Sequence, residues 1–84
     1  MKQAEAAIHL RELLMARGFD IPSRPMSLPD GQRWVVFERK GRQVGVDAAT
    51  GIWQRSSENE GWHCLAAKHS MSGAVMAVDF LTGD

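Results

Sequence analysis

The chain has 84 residues, ten basic and ten acidic for a formal net charge of zero, and is 44% hydrophobic and 24% charged. That length suits one small domain spanning residues 1–84, and the composition excludes the low-hydrophobicity, high-charge regime of disordered chains. Zero net charge withdraws the simplest argument for a nucleic-acid partner, the single cysteine, Cys64, excludes an internal disulfide, and no apolar run approaches the ~20 residues that span a bilayer, so a cytoplasmic protein without membrane attachment is expected.

Lys2 to Arg17 lacks glycine and proline, is rich in Ala, Leu, Glu and Arg, and stops at Gly18, which predicts a helix. Ala6, Ala7, Leu10, Leu13 and Leu14 form its apolar arc, and Ala4, Ile8 and Met15 widen that arc beyond the usual stripe. So wide a face implies packing on a sheet and on something else, either another helix or a second chain. Residues 19–31 carry Pro22, Pro25 and Pro29 among Ser23, Ser27 and Asp30, and read as an extended, non-helical connector.

Gln32 to Arg39 reads as a strand, Lys40-Gly41 as a two-residue hairpin loop needing positive φ, and Arg42 to Asp47 as the antiparallel partner. That loop sets Phe37 against Val44, Val36 against Gly45, Val35 against Val46 and Trp34 against Asp47. The next segment, Asp47-Ala48-Ala49-Thr50-Gly51 followed by Trp53, resembles the Asp-x-x-Thr-Gly turns of pyrroloquinoline-quinone-type propeller repeats. Those repeats come in arrays whose blades bury one another, and here a single copy stands in a chain too short for an array, so the segment is read as a turn. Asp47 supplies a side-chain acceptor, and Gly51 is expected to turn left-handed before a strand at Ile52 to Arg55.

Ser56 to Gly61 is a polar loop. Trp62 to Ala66 alternates like a fourth strand, with a short helix beginning at Gly61 as the other reading. Ser70 or Ser72 can cap a last helix running to about Leu81, with Gly83 beyond its end. Asp79 is the only charged residue between Gly73 and Leu81, so this helix is apolar nearly all round and should be buried on more than one side, between sheet and first helix or at a dimer contact. The order α-β-β-β-(β)-α predicts the α+β class, with an antiparallel three- to four-stranded meander flanked by an N-terminal and a C-terminal helix.

His63, Cys64 and His69 are the candidates for metal or thiolate chemistry. A fourth ligand is missing, and adjacent strand residues point to opposite faces, so no metal, cofactor or catalytic residue is assigned. No phosphate loop, nucleophile elbow or paired-acid motif is present either. Function therefore rests on surfaces. If Asp47 opposes Ile52, one sheet face carries Val35, Phe37, Val44, Val46 and Trp53 rimmed by arginines, and the other carries Trp34, Val36, Glu38, Gln43, Asp47, Ile52 and Gln54. With helices on the first face, the second exposes Trp34, Val36, Glu38 and Ile52, expected to contact a protein partner or a second copy, with Trp34 as anchor.

Residues 33–55 hold five basic against two acidic residues, a local +3, whereas the segment from Ser56 onward sums to −3. The alternative expectation is thus a nucleic-acid-binding sheet that uses Arg33, Arg39, Lys40, Arg42 and Arg55 with the aromatic residues. The first expectation remains a small non-enzymatic protein-interaction or regulatory module, with a homodimer as one form of it.

Overall fold

A computed structural model describes residues 2–83. Its elements are α1 (Gln3–Ala16), β1 (Arg24–Ser27), β2 (Arg33–Arg39), β3 (Arg42–Val46), β4 (Ile52–Arg55), β5 (His63–Ala66) and α2 (Met71–Thr82). The strands make one antiparallel sheet in chain order, β1-β2-β3-β4-β5. The α+β class and the flanking helices are as expected. The sheet has five strands, however, where three or four were expected.

The additional strand, β1, lies in the proline-containing connector. It occupies the sheet edge, where a proline is tolerated because one side of the strand has no ladder to donate to. A Pro29-Asp30-Gly31 turn leads from it into β2: Gly31 has φ 89°, Leu28 N–H donates to Gln32 O, and Asp30 Oδ1 accepts from Gln32 N–H. At the other edge, 63–66 is a strand, which decides between the two readings of that segment.

Lys40 (φ 52°) and Gly41 (φ 81°) form the left-handed two-residue turn that matches strand twist, and the β2–β3 register is the expected one: Val35 with Val46, Val36 with Gly45, Phe37 with Val44. The next hairpin is displaced by one residue from expectation. Ile52 pairs with Val46, not Asp47, and Asp47 N–H donates to Gly51 O. A slip of one residue turns every side chain to the opposite face. Ile52 and Gln54 therefore go to the side of Val44 and Val46, while Trp53 and Arg55 join Trp34.

The Asp47 carboxylate explains the slip. Oδ1 accepts from the N–H groups of Ala49 and Gly51, and Oδ2 accepts from Trp53 Nε1, so the loop closes around this side chain. Gly51 is needed for space, not for a left-handed backbone. A Cβ there would stand 2.7 Å from Asp47 Oδ2 and 2.8 Å from Trp53 Nε1.

Both helices lie on one sheet face, burying Ala6, Leu10 and Leu14 of α1 and Ala74, Ala77, Val78 and Leu81 of α2 against Phe37, Val44, Val46 and Ile52. Ser70 caps α2 by accepting from Gly73 N–H. Gly73 lets the helix approach β4 and β5, since a Cβ there would be 2.8 Å from that of Ala66 and 3.2 Å from Ile52 Cδ1. Arg17 binds Asp79 and Thr82, joining the two C-terminal ends, so the helices run parallel.

Candidate interaction surfaces

The sheet face away from the helices carries all three tryptophans. Trp34 lies over Gly45, stacked on Trp53 with centroids 5.7 Å apart and tilted against Trp62 at 5.2 Å. Within this aromatic roof Trp34 is only 6% exposed, and Val36 on the same face is fully buried. Polar groups brace the roof. Trp34 Nε1 donates to Gln32, and Trp53 Nε1 donates to Asp47.

A chain of contacts also crosses the sheet from edge to edge. Arg24 on β1 pairs with Glu38 on β2, Glu38 accepts from Gln43 on β3, and Gln43 Oε1 accepts from Arg55 on β4. Arg55 then covers Trp62, its guanidinium 4.2 Å from the ring centroid. Gln43 is completely buried with its amide oxygen and nitrogen both bonded.

Of the four residues expected to contact a partner, Trp34, Val36 and Glu38 share this face. Ile52 does not. It is fully buried in the core between the sheet and the helices, a consequence of the one-residue register difference. Trp34 and Val36 are not accessible anchors, and Glu38 is already engaged by Arg24 and Gln43.

The five basic residues also fall into separate places. Arg39 and Arg42 lie on the helix side, where Arg39 donates to Leu81 O and Arg42 to the carbonyls of Phe80 and Gly83. There they satisfy the otherwise unpartnered end of α2 and complement its dipole, while Arg39 stacks on Phe19 and Arg42 on Phe80. Arg55 sits on the tryptophan side, and Arg33 and Lys40 are exposed at opposite ends of β2. No single face gathers them.

Asp47 is a structural node that sequence reading identified only as a turn residue. Besides the turn and Trp53, its Oδ1 lies 3.4 Å from Nε2 of His69, which also lies 3.1 Å from Gly51 O. His69 directly precedes the α2 cap, so this node joins the β3–β4 hairpin to the start of the last helix. Among the described residues His69 Nδ1 is buried without a hydrogen-bond partner. Cys64 and His63 are exposed on β5, and among the described residues no three His, Cys, Asp or Glu side chains gather as a metal site.

The outer surface of the helix layer is different in kind. Ile8 and Met15 on α1 are 57% and 56% exposed, and Met71, Val75 and Met76 on α2 are 46%, 39% and 48% exposed. The widened arc of α1 and the all-round apolarity of α2 were the sequence signals for this surface. Among the described residues, no helix is long and apolar enough to cross a membrane. No family model, curated protein or solved structure matches the chain.

Proposed function

We propose that the chain is a small non-enzymatic protein-interaction module that binds through the outer surface of its two helices. The carrying observation is the exposure of five large apolar side chains, Ile8, Met15, Met71, Val75 and Met76, in this one layer. Scattered apolar residues are normal on a protein surface, but three methionines, an isoleucine and a valine exposed on two adjacent helices of an 84-residue domain resemble the methionine enrichment of contact surfaces. The tryptophan face fits a partner less well, because its polar groups are already bonded to one another and its aromatic rings cover one another. On this reading Trp34 and Val36 hold the sheet together, and the contact belongs to the helices.

The test is affinity capture by the immobilised protein, wild type against an Ile8→Asp/Met76→Asp double variant. Both positions are about half exposed, so the variant should fold, which far-ultraviolet circular dichroism and tryptophan emission check. The expected result is that bound protein is lost with the variant and retained with a sheet-face control, Glu38→Gln. Equal retention by wild type and the double variant refutes the helix-layer reading.

A further inference from the structure

We propose that the helix layer is an oxidation-sensitive surface, on which peroxide converts the exposed Met15, Met71 and Met76 to methionine sulfoxide, weakening the contact while leaving the fold intact. The inference rests on the helix layer being the contact surface and names what regulates it.

Leucine and methionine are near-equal helix formers and exchange at little cost in a core, so helix formation and packing by themselves do not sort them. This chain sorts them by exposure. Leu10, Leu14 and Leu81 are buried, and Leu13, Leu28 and Leu65 are half-buried. Of the four methionines among the described residues, Met15, Met71 and Met76 are exposed, and Met26 is half-buried on the edge strand β1. No methionine is among the buried core residues. The two helices thus turn their leucines toward the core and their methionines away from it.

The chemistry is a two-electron oxygen transfer. The thioether sulfur attacks one oxygen of hydrogen peroxide, the O–O bond breaks and an S–O bond forms. The departing hydroxide takes the proton of the transferred oxygen and leaves as water, so sulfur is oxidised and peroxide reduced. The step needs only a sulfur that the dissolved oxidant can reach, and its product is a polar, chiral side chain where an apolar one stood. Covered by a partner, that new oxygen is a buried acceptor without a donor, which opposes association. Met71 and Met76 are five residues apart, about 140° around α2, and Met15 is on the other helix. The three need not touch one another, since each sulfoxide makes its own part of the layer polar.

The core holds no thioether to oxidise, so the folded state should survive the change. Cys64 is the competing group for peroxide, exposed on β5 at the sheet edge, and Cys64→Ser removes it from the test. Peroxide treatment of the Cys64→Ser protein followed by peptide mass spectrometry reads each methionine separately. Met15, Met71 and Met76 should gain oxygen at least about threefold faster than Met26, with the urea midpoint and circular dichroism unchanged. Retention on a phenyl hydrophobic-interaction column should fall. The immobilised oxidised protein should retain roughly tenfold less of the protein that the untreated chain captures, and the two epimer-specific methionine sulfoxide reductases should restore it. Met15→Leu/Met71→Leu/Met76→Leu should capture as the wild type does, before and after peroxide.

Oxidation of the three exposed positions no faster than of Met26 overturns the proposal. So does unchanged capture by a chain carrying all three sulfoxides, or a triple-leucine variant that loses capture to peroxide as readily as the wild type. With any of these, capture that still depends on Ile8 and Met76 leaves the module reading standing and removes only the switch. Equal capture by the wild type and Ile8→Asp/Met76→Asp, or capture of nothing by either, removes the helix-layer reading and the switch with it.

Discussion

Replacing Gly45 with alanine adds one methyl group where the sheet has least room for it. The added Cβ would stand 2.6 Å from Trp34 Cε3 and 3.1 Å from Cζ3, with Trp62 Cη2 at 3.5 Å. Two effects oppose each other. Gly→Ala restricts the unfolded chain and stabilises by about 0.4–1 kcal/mol where the backbone is compatible, whereas an extra carbon forced into close packing costs about 1–3 kcal/mol. Trp34 has little freedom to move aside, since Trp53 stacks on it, Trp62 tilts against it and its Nε1 is bonded to Gln32. Overpacking therefore wins, with a net loss of about 1–2 kcal/mol. That is a sizeable part of the roughly 4–13 kcal/mol expected for a domain of this size.

Urea unfolding followed by tryptophan emission and circular dichroism measures the loss. Trp34→Leu supplies the second arm of a double-mutant cycle, because it removes the ring atoms that the new methyl would meet. Alone, Trp34→Leu should destabilise by somewhat less than the 3–5 kcal/mol of a buried Trp→Ala change. In its presence, Gly45→Ala should become neutral or stabilising, a coupling of about 1 kcal/mol or more. The same loss in both backgrounds, or no loss in the wild type, would show that the tryptophan does not lie over this glycine.

Three further substitutions probe the joints of the fold. Asp47→Ala leaves the N–H groups of Ala49, Gly51 and Trp53 without their acceptor and should cost about 2–4 kcal/mol, with faster amide exchange at Gly51; unchanged exchange there refutes the node. Ser70→Ala removes the cap of α2 and should cost about 1 kcal/mol by the same denaturation assay, so an unaltered midpoint counts against the capping bond. Arg42→Met keeps the apolar stem but not the donors to Phe80 O and Gly83 O, and should cost about 1–2 kcal/mol with exchange accelerated in the last turn of α2 and nowhere else.

The elements that can be read from the chain are those whose signals are local. The glycine-free run ending at Gly18, the Lys40-Gly41 turn and the serine preceding an apolar segment each state their structure within a few residues. The β2–β3 register follows directly from the loop length. The β3–β4 register does not, because it depends on a side chain: Asp47 could serve as a last strand residue or as the acceptor around which the loop closes. Three hydrogen bonds to its carboxylate decide for the second. That one difference carries Ile52 into the core and Trp53 onto the outer face. Strand β1 was hidden for another reason, since its prolines forbid a helix but say nothing of an edge position that only tertiary pairing creates. The separation of Arg39 and Arg42 from Arg55 depends on both facts at once, on which strand face each occupies and on where α2 ends.

A five-stranded sheet built from 84 residues has two faces to cover and only two helices to do it. Here both helices take one face, and the other is closed by tryptophans from β2, β4 and the segment just before β5, which act as a thin third layer. The sheet is thereby satisfied on both sides. The outer residues of α2 are not required by any of this: Ala74, Ala77, Val78 and Leu81 already fill the sheet-facing half, and nothing in the packing beneath them needs Met71, Val75 or Met76 to be apolar. Met76→Lys should accordingly change the stability of the isolated protein by no more than about 0.5 kcal/mol, while weakening partner capture. A large loss of monomer stability would place Met76 in the service of the fold and remove α2 from the contact surface. Retained stability with reduced capture would show that the apolar outer face of α2 exists for a partner.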